Sequence, residues 1–112
     1  MGCDSQFDEL YERHDYYNVA PAPKERRSIF SYPYYNVLRM IGEESTKARS
    51  KHQGAPQATE DQALSILVEE VGEIATALNQ NLPKAELEKE IVQVASVATR
   101  WLMGDLTYSR KA

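Results

Sequence analysis

Between Glu60 and Gln80 the apolar residues Leu64, Leu67, Val68, Val71, Ile74, Ala75 and Leu78 recur at three- and four-residue steps. Only an α-helix gathers such a spacing into one continuous stripe. Thr59 is the expected N-cap, with Gln62 three residues on as in a capping box. Asn79-Gln80-Asn81 closes the segment. This is the second helix in chain order; the third starts at Pro83, a residue suited to a first turn, and extends to about Met103. It carries Leu87, Ile91, Val94, Ala95, Ala98, Trp101 and Leu102 on one face, and Gly104 is the expected stop. The first helix spans about Tyr34 to His52, with Val37, Ile41, Ala48 and His52 in phase and Tyr34 and Met40 beside them. Gly54 and Pro56 end it. No segment alternates with a period of two. The expected fold is therefore all-α, a bundle of three main helices.

A chain of 112 residues holds one domain at most. With 27% charged residues its core is small, and small cores often gain stability by oligomerising. Three modest helices also leave more apolar face than one chain covers, so a homodimer is expected to complete the bundle. The net charge of −4 argues against nonspecific binding to nucleic acid. No apolar run reaches the length of a membrane span. The single cysteine, Cys3, cannot form an internal disulfide and fits a reducing compartment. Gln6 stands where a myristoylation signal requires Ser or Thr, and no apolar stretch precedes Cys3. The N-terminus therefore reads as unmodified and the protein as cytoplasmic.

Residues 1–33 differ from the rest. They are rich in Tyr, Asp, Glu, Arg and Pro, with Pro21, Pro23 and Pro33 interrupting any long helix. They read as a partly ordered arm in which Phe7–Tyr11 forms a helical turn or two. The tetrapeptide Tyr-Tyr-Asn-Val occurs at 16–19 and again at 34–37, too short a match to establish a duplication. The tyrosines suit packing of the arm on the helical body or, more pointedly, stacking on a nucleotide base. Residues 34–104 form the expected helical domain, and 105–112 a polar, frayed tail.

Successive helical residues lie about 100° apart around the axis. On the second helix Glu69, Glu70 and Glu73 fall roughly opposite the apolar stripe. A solvated acidic face is the plain explanation. However, Glu70 and Glu73 share their side with Ala63, Ile66 and Ala77, and like charges on one side of a helix repel. On the third helix Glu90 lies between Val97 and Trp101, at the edge of the stripe, where a carboxylate needs a proton, a salt bridge or a cation. Gln93 is one turn further along that flank and offers a neutral oxygen ligand or a hydrogen bond. Carboxylates on two adjacent helices suit a hard divalent cation such as Mg²⁺ and, through it, a phosphate-bearing substrate. On the first helix Glu44 lies within the stripe, beside a basic end of Lys47, Arg49, Lys51 and His52. These cations are either snorkelling surface charges or phosphate contacts beside the metal site. A basic residue on another helix or subunit is a possible partner for Glu44.

The segment Leu67-Val68-Glu69-Glu70-Val71-Gly72-Glu73-Ile74-Ala75 resembles the first half of the signature of MazG-like nucleoside triphosphate pyrophosphohydrolases. That signature reads Glu-Glu-x-x-Glu, a gap, then Glu-x-x-Asp. Glu73 and Glu90 are separated by 16 residues, within the range of that gap. The flanking run from Glu90 to Trp101 is similar to small MazG-like proteins of bacteria and their phages, and the resemblance covers roughly residues 36–104. It implies an α-helical fold in which helices of two subunits complete a bundle, as a dimer or a tetramer. It also implies Mg²⁺-dependent cleavage of a nucleoside triphosphate into monophosphate and pyrophosphate, with Mn²⁺ as a possible substitute. By motif position Glu70, Glu73 and Glu90 would be metal ligands, and Glu69 would orient the attacking water or bind a second metal. Gln93 stands where the motif closes on Asp, which removes one negative ligand and would weaken metal affinity or activity. Lys47, Arg49 and Lys51, which the motif does not cover, are candidates for holding the outgoing pyrophosphate. Two other readings follow from the same residues: a MazG-like nucleotide- or metal-binding module with little chemistry, and a helical interaction protein without a ligand.

Overall fold

A computed structural model of the chain describes residues 28–108. The expected arm therefore lies outside the described residues as far as position 27, including Phe7–Tyr11, Cys3 and the first Tyr-Tyr-Asn-Val copy. The chain's contacts divide it into two units, with the boundary between Tyr34 and Tyr35. In the described part of the first, the rings of Phe30 and Tyr32 stack at a centroid separation of 6.4 Å. Everything below concerns the second.

Among the described residues there are three helices: α1 (Tyr34–Lys51), α2 (Glu60–Asn79) and α3 (Lys84–Leu102). Their caps explain their limits. The Thr59 hydroxyl accepts from the Gln62 backbone N–H at 3.2 Å, and the Gln62 side chain accepts from the Thr59 N–H at 2.9 Å. This capping box, worth about 1 kcal/mol, is joined by Glu60 and Asp61 in the positive first turn. At the other end Asn81 adopts a left-handed φ of 52°. That conformation lets the Leu82 N–H reach Ala77 O at 2.9 Å and the Asn81 N–H reach Leu78 O at 3.2 Å, a Schellman closure. Helix α3 ends the same way, with Gly104 at φ 70° and the Asp105 N–H on Arg100 O at 2.8 Å. Pro83 sits just before α3 as its N-cap rather than inside the first turn.

Helices α2 and α3 form an antiparallel hairpin, the one close helix pair among the described residues. Helix α1 buries none of its residues fully. It meets the hairpin through side chains, among them Ser45 Oγ and Ser96 Oγ at 2.9 Å. Among the described residues there is no extended strand, only an isolated antiparallel bridge between Gln57 and Thr107.

Two expectations need correction. The first concerns which faces are covered. The buried residues of α2 are Ala63, Ile66 and Ala77, and those of α3 are Ser96, Val97 and Arg100. The larger apolar stripe of α2 faces outward, with Leu64 53%, Val68 60% and Val71 49% exposed, and Leu102 of α3 is 91% exposed. Small residues at the contact let the two axes approach closely, so the narrow face carrying them packs inward and the bulky stripe remains on the surface. The second correction concerns the polar tail, expected to fray from Asp105. Residues 105–108 instead fold back onto the α1–α2 connection. Leu106 is 3% exposed and joins Ala63, Ile66 and Val97 in the core. Ala58 N–H donates to Leu106 O at 2.8 Å, and Tyr108 N–H donates to Pro56 O at 3.2 Å. One apolar anchor and two backbone bonds hold a segment whose composition alone reads as solvent-exposed. Residues 109–112 lie outside the described residues.

Candidate active site

The hairpin geometry decides which carboxylates meet. Glu70 lies one turn beyond Ile66, on the inward face of α2, and is half-buried. Glu73 follows on the same helix, exposed, and Glu90 approaches from α3, half-buried. Burial raises the Glu70 carboxyl from its ordinary value near 4.5 to about 7, reinforced by the charge of Glu73, a side-chain hydrogen bond with it, and the charges of Glu90 and Glu69. The Glu90 carboxyl is also raised, first by burial and then by Glu73 and Glu86, against the opposing pull of Lys89. Ion pairs among the described residues include Arg39–Glu43, Lys47–Glu44 and Arg49–Asp105. None of these involves Glu70, Glu73 or Glu90, so no described Lys or Arg neutralises this cluster directly.

Gln93 lies between the two helices. Its amide faces two carboxylates, so the nitrogen is the atom that must point toward them. In that orientation it donates to Glu90 Oε1 at 2.9 Å and to Glu70 Oε2 at 3.1 Å. Where a fourth carboxylate would add repulsion, the amide supplies two donors and fastens α3 to α2.

These oxygen donors match a hard divalent cation in chemical type: carboxylates in mutual electrostatic reach, with no described Lys or Arg ion-paired to them. Among the described residues, however, no three Asp, Glu, His or Cys side chains are grouped so as to hold a metal ion.

The basic residues divide. Lys47 and Lys51 line a cavity of about 410 Å³ between α1 and the hairpin, whose wall also includes Glu70, Gln93 and Lys89. Arg49 does not line it. It bonds to Asp105 and so ties α1 to the returning segment after α3. Glu44 pairs with Lys47 on its own helix at 3.9 Å, and its charge also acts on Arg100 of α3, a basic residue on another helix as the sequence left open. Glu69 is exposed at the edge of the cluster.

Three features of the site carry no motif signal. Arg100 lies at the cavity wall although it is 3% exposed. The Ser45–Ser96 hydrogen bond closes part of the interface between α1 and α3. Tyr108 brings its ring to 5.4 Å from that of His52, and the imidazole pKa is lowered by burial and by Lys51 and Arg100. The position of Arg100 one and two turns beyond Ser96 and Gln93 is the sole hint in the sequence. Tyr108 gives none, because the return of the chain is a tertiary event. The sequence matches no protein-family model, no curated protein and no solved structure.

Proposed function

We propose that the protein is a Mg²⁺-dependent nucleoside triphosphate pyrophosphohydrolase, acting as a homodimer. The observation that carries this reading is a cavity whose wall holds both Glu70, which sits beside Glu73 and Glu90, and the cations Lys47, Lys51 and Lys89. Its volume of about 410 Å³ lies within the range of small-ligand sites. The resemblance of the Glu69–Glu73 and Glu90–Gln93 segments to the MazG-like signature supplies the reaction class.

In this reading Glu70, Glu73 and Glu90 would hold the metal, and rotation of the Gln93 amide would offer its oxygen as a neutral ligand. A bound divalent cation supplies charge neutralisation at the phosphates and a water of lowered pKa. Glu69 orients the attacking water and takes its proton. The water oxygen bonds to the α-phosphorus, and the α–β bridging oxygen leaves with pyrophosphate. Lys47 and Lys51 balance the charge gained by that leaving group. Arg49 instead holds the wall in place through Asp105. The exposed stripe of Leu64, Val68 and Val71 supports a second copy of the chain as the element that completes the bundle.

A second reading, a binding module with little turnover, is favoured by one observation. Gln93 bridges Glu70 and Glu90 with donors, occupying with a neutral amide the position where the motif has a metal-binding Asp. Incubation with a panel of nucleoside triphosphates and Mg²⁺ or Mn²⁺ in ¹⁸O-water separates the two. The hydrolase yields monophosphate and pyrophosphate, with the label on the monophosphate. Diphosphate and phosphate as products contradict it, and nucleotide binding without turnover leaves the binding module.

A further inference from the structure

The hydrolase reading places phosphate contacts on lysines at the cavity rim and leaves the most deeply placed cation unused. Arg100 is 3% exposed, and its guanidinium makes one hydrogen bond, from Nη2 to Thr107 O at 3.3 Å. Its Nε is buried with no partner. A guanidinium has five N–H donors and stays charged, so a nearly buried one normally faces a carboxylate directly. Asp105, bonded to Arg49, and Glu44, 3.9 Å from Lys47, act on the Arg100 charge from nearby, but neither forms an ion pair with it. Arg100 also forms part of the cavity wall, together with Lys51, His52 and Thr107. It follows Gln93 by seven residues on α3, about 10 Å along a helix axis, so it sits at the opposite end of the cavity from the carboxylate cluster.

We infer that Arg100 is the anchor of an anion subsite that receives a phosphoryl group of the ligand, with Lys51 as its exposed partner. The site is thus polar along its length, a carboxylate end for a metal and a guanidinium end for an anion. A ligand spanning it would carry a metal-binding group and a separate phosphoryl group. The inference rests on the hydrolase reading for the ligand's identity as a nucleotide. The anion subsite itself rests on Arg100 alone.

The test uses full-length ¹⁵N-labelled protein freed of metal on a chelating resin and titrated with inorganic pyrophosphate. The readout is the Nε–Hε resonance of Arg100, assigned by its loss in Arg100→Lys. A saturable shift of that resonance is expected. Because charge-assisted hydrogen bonds are lost, Arg100→Lys should weaken binding by about tenfold or more, and Lys51→Gln, on the exposed rim, should weaken it without unfolding the chain. Arg39→Gln removes the same charge outside this cavity and should leave affinity unchanged. A stationary Arg100 resonance throughout the titration overturns the inference, as does an equal loss in Arg39→Gln. The two proposals fail separately: an Arg100 shift without nucleotide turnover retains the subsite and removes the hydrolase, and turnover with a stationary Arg100 does the reverse.

Discussion

At the scale of single residues, Glu70 and Gln93 carry the argument. Glu70 has a folded-state pKa of about 7 against an ordinary value near 4.5, because burial and three neighbouring glutamates disfavour its charge. The folded chain therefore keeps a proton that the unfolded chain releases. The stability linked to this group is full below about 4.5 and is lost as pH rises through about 7. Glu70→Gln removes that linkage. Its melting temperature relative to the parent should rise between about pH 5 and pH 8; a constant difference measured by circular dichroism would show that Glu70 titrates normally. Gln93→Asp removes two donated hydrogen bonds and adds a charge beside Glu70 and Glu90. It should cost about 1–3 kcal/mol in urea unfolding of metal-free protein at neutral pH, with much of the loss recovered in Mg²⁺. A variant as stable as the parent without metal would mean that the Gln93 bridge contributes nothing. The acidic cluster was legible from the sequence because Ala63, Ile66 and Ala77 share a helical side with Glu70. That small-residue side is what packs inward. The donor role of Gln93 was not legible, since an amide at that position serves equally as ligand or donor until its neighbours are placed.

Among the elements, the periodicity and caps of α1, α2 and α3 were readable almost to the residue, because capping chemistry is local. What covers each face was not. A helical stripe records that an apolar surface exists and says nothing of what packs on it, and here the Leu64–Val71 stripe faces outward. The return of residues 105–108 was equally hidden, since it depends on Leu106 finding a gap between α2 and α3. That single side chain holds the Arg100 and Tyr108 end of the cavity. Leu106→Ala should destabilise the fold by about 2–5 kcal/mol, read from denaturant unfolding, and should remove the amide-exchange protection of the Ala58 N–H that bonds to Leu106 O. A cost below about 1 kcal/mol would mean that the segment is not an integral part of the core.

For the molecule as a whole, helix α1 has no fully buried residue, and α2 exposes most of its large apolar side chains. In the proposed homodimer this apolar surface is what the second copy would cover. Sedimentation velocity should show a dimer at micromolar concentration, and the double variant Leu64→Glu, Val71→Glu should sediment as a monomer with its helices intact. A monomeric parent would contradict the dimer. No helix among the described residues is long and apolar enough to cross a membrane. The measurement that bears most directly on the central claim compares nucleoside triphosphate turnover by the parent and Glu70→Gln in Mg²⁺. The account predicts monophosphate and pyrophosphate from the parent and a loss on the order of 100-fold or more in the variant, the scale expected when a group stabilising transition-state charge is removed. Equal rates in the two proteins would contradict the assigned site, and no turnover by either would contradict the enzyme.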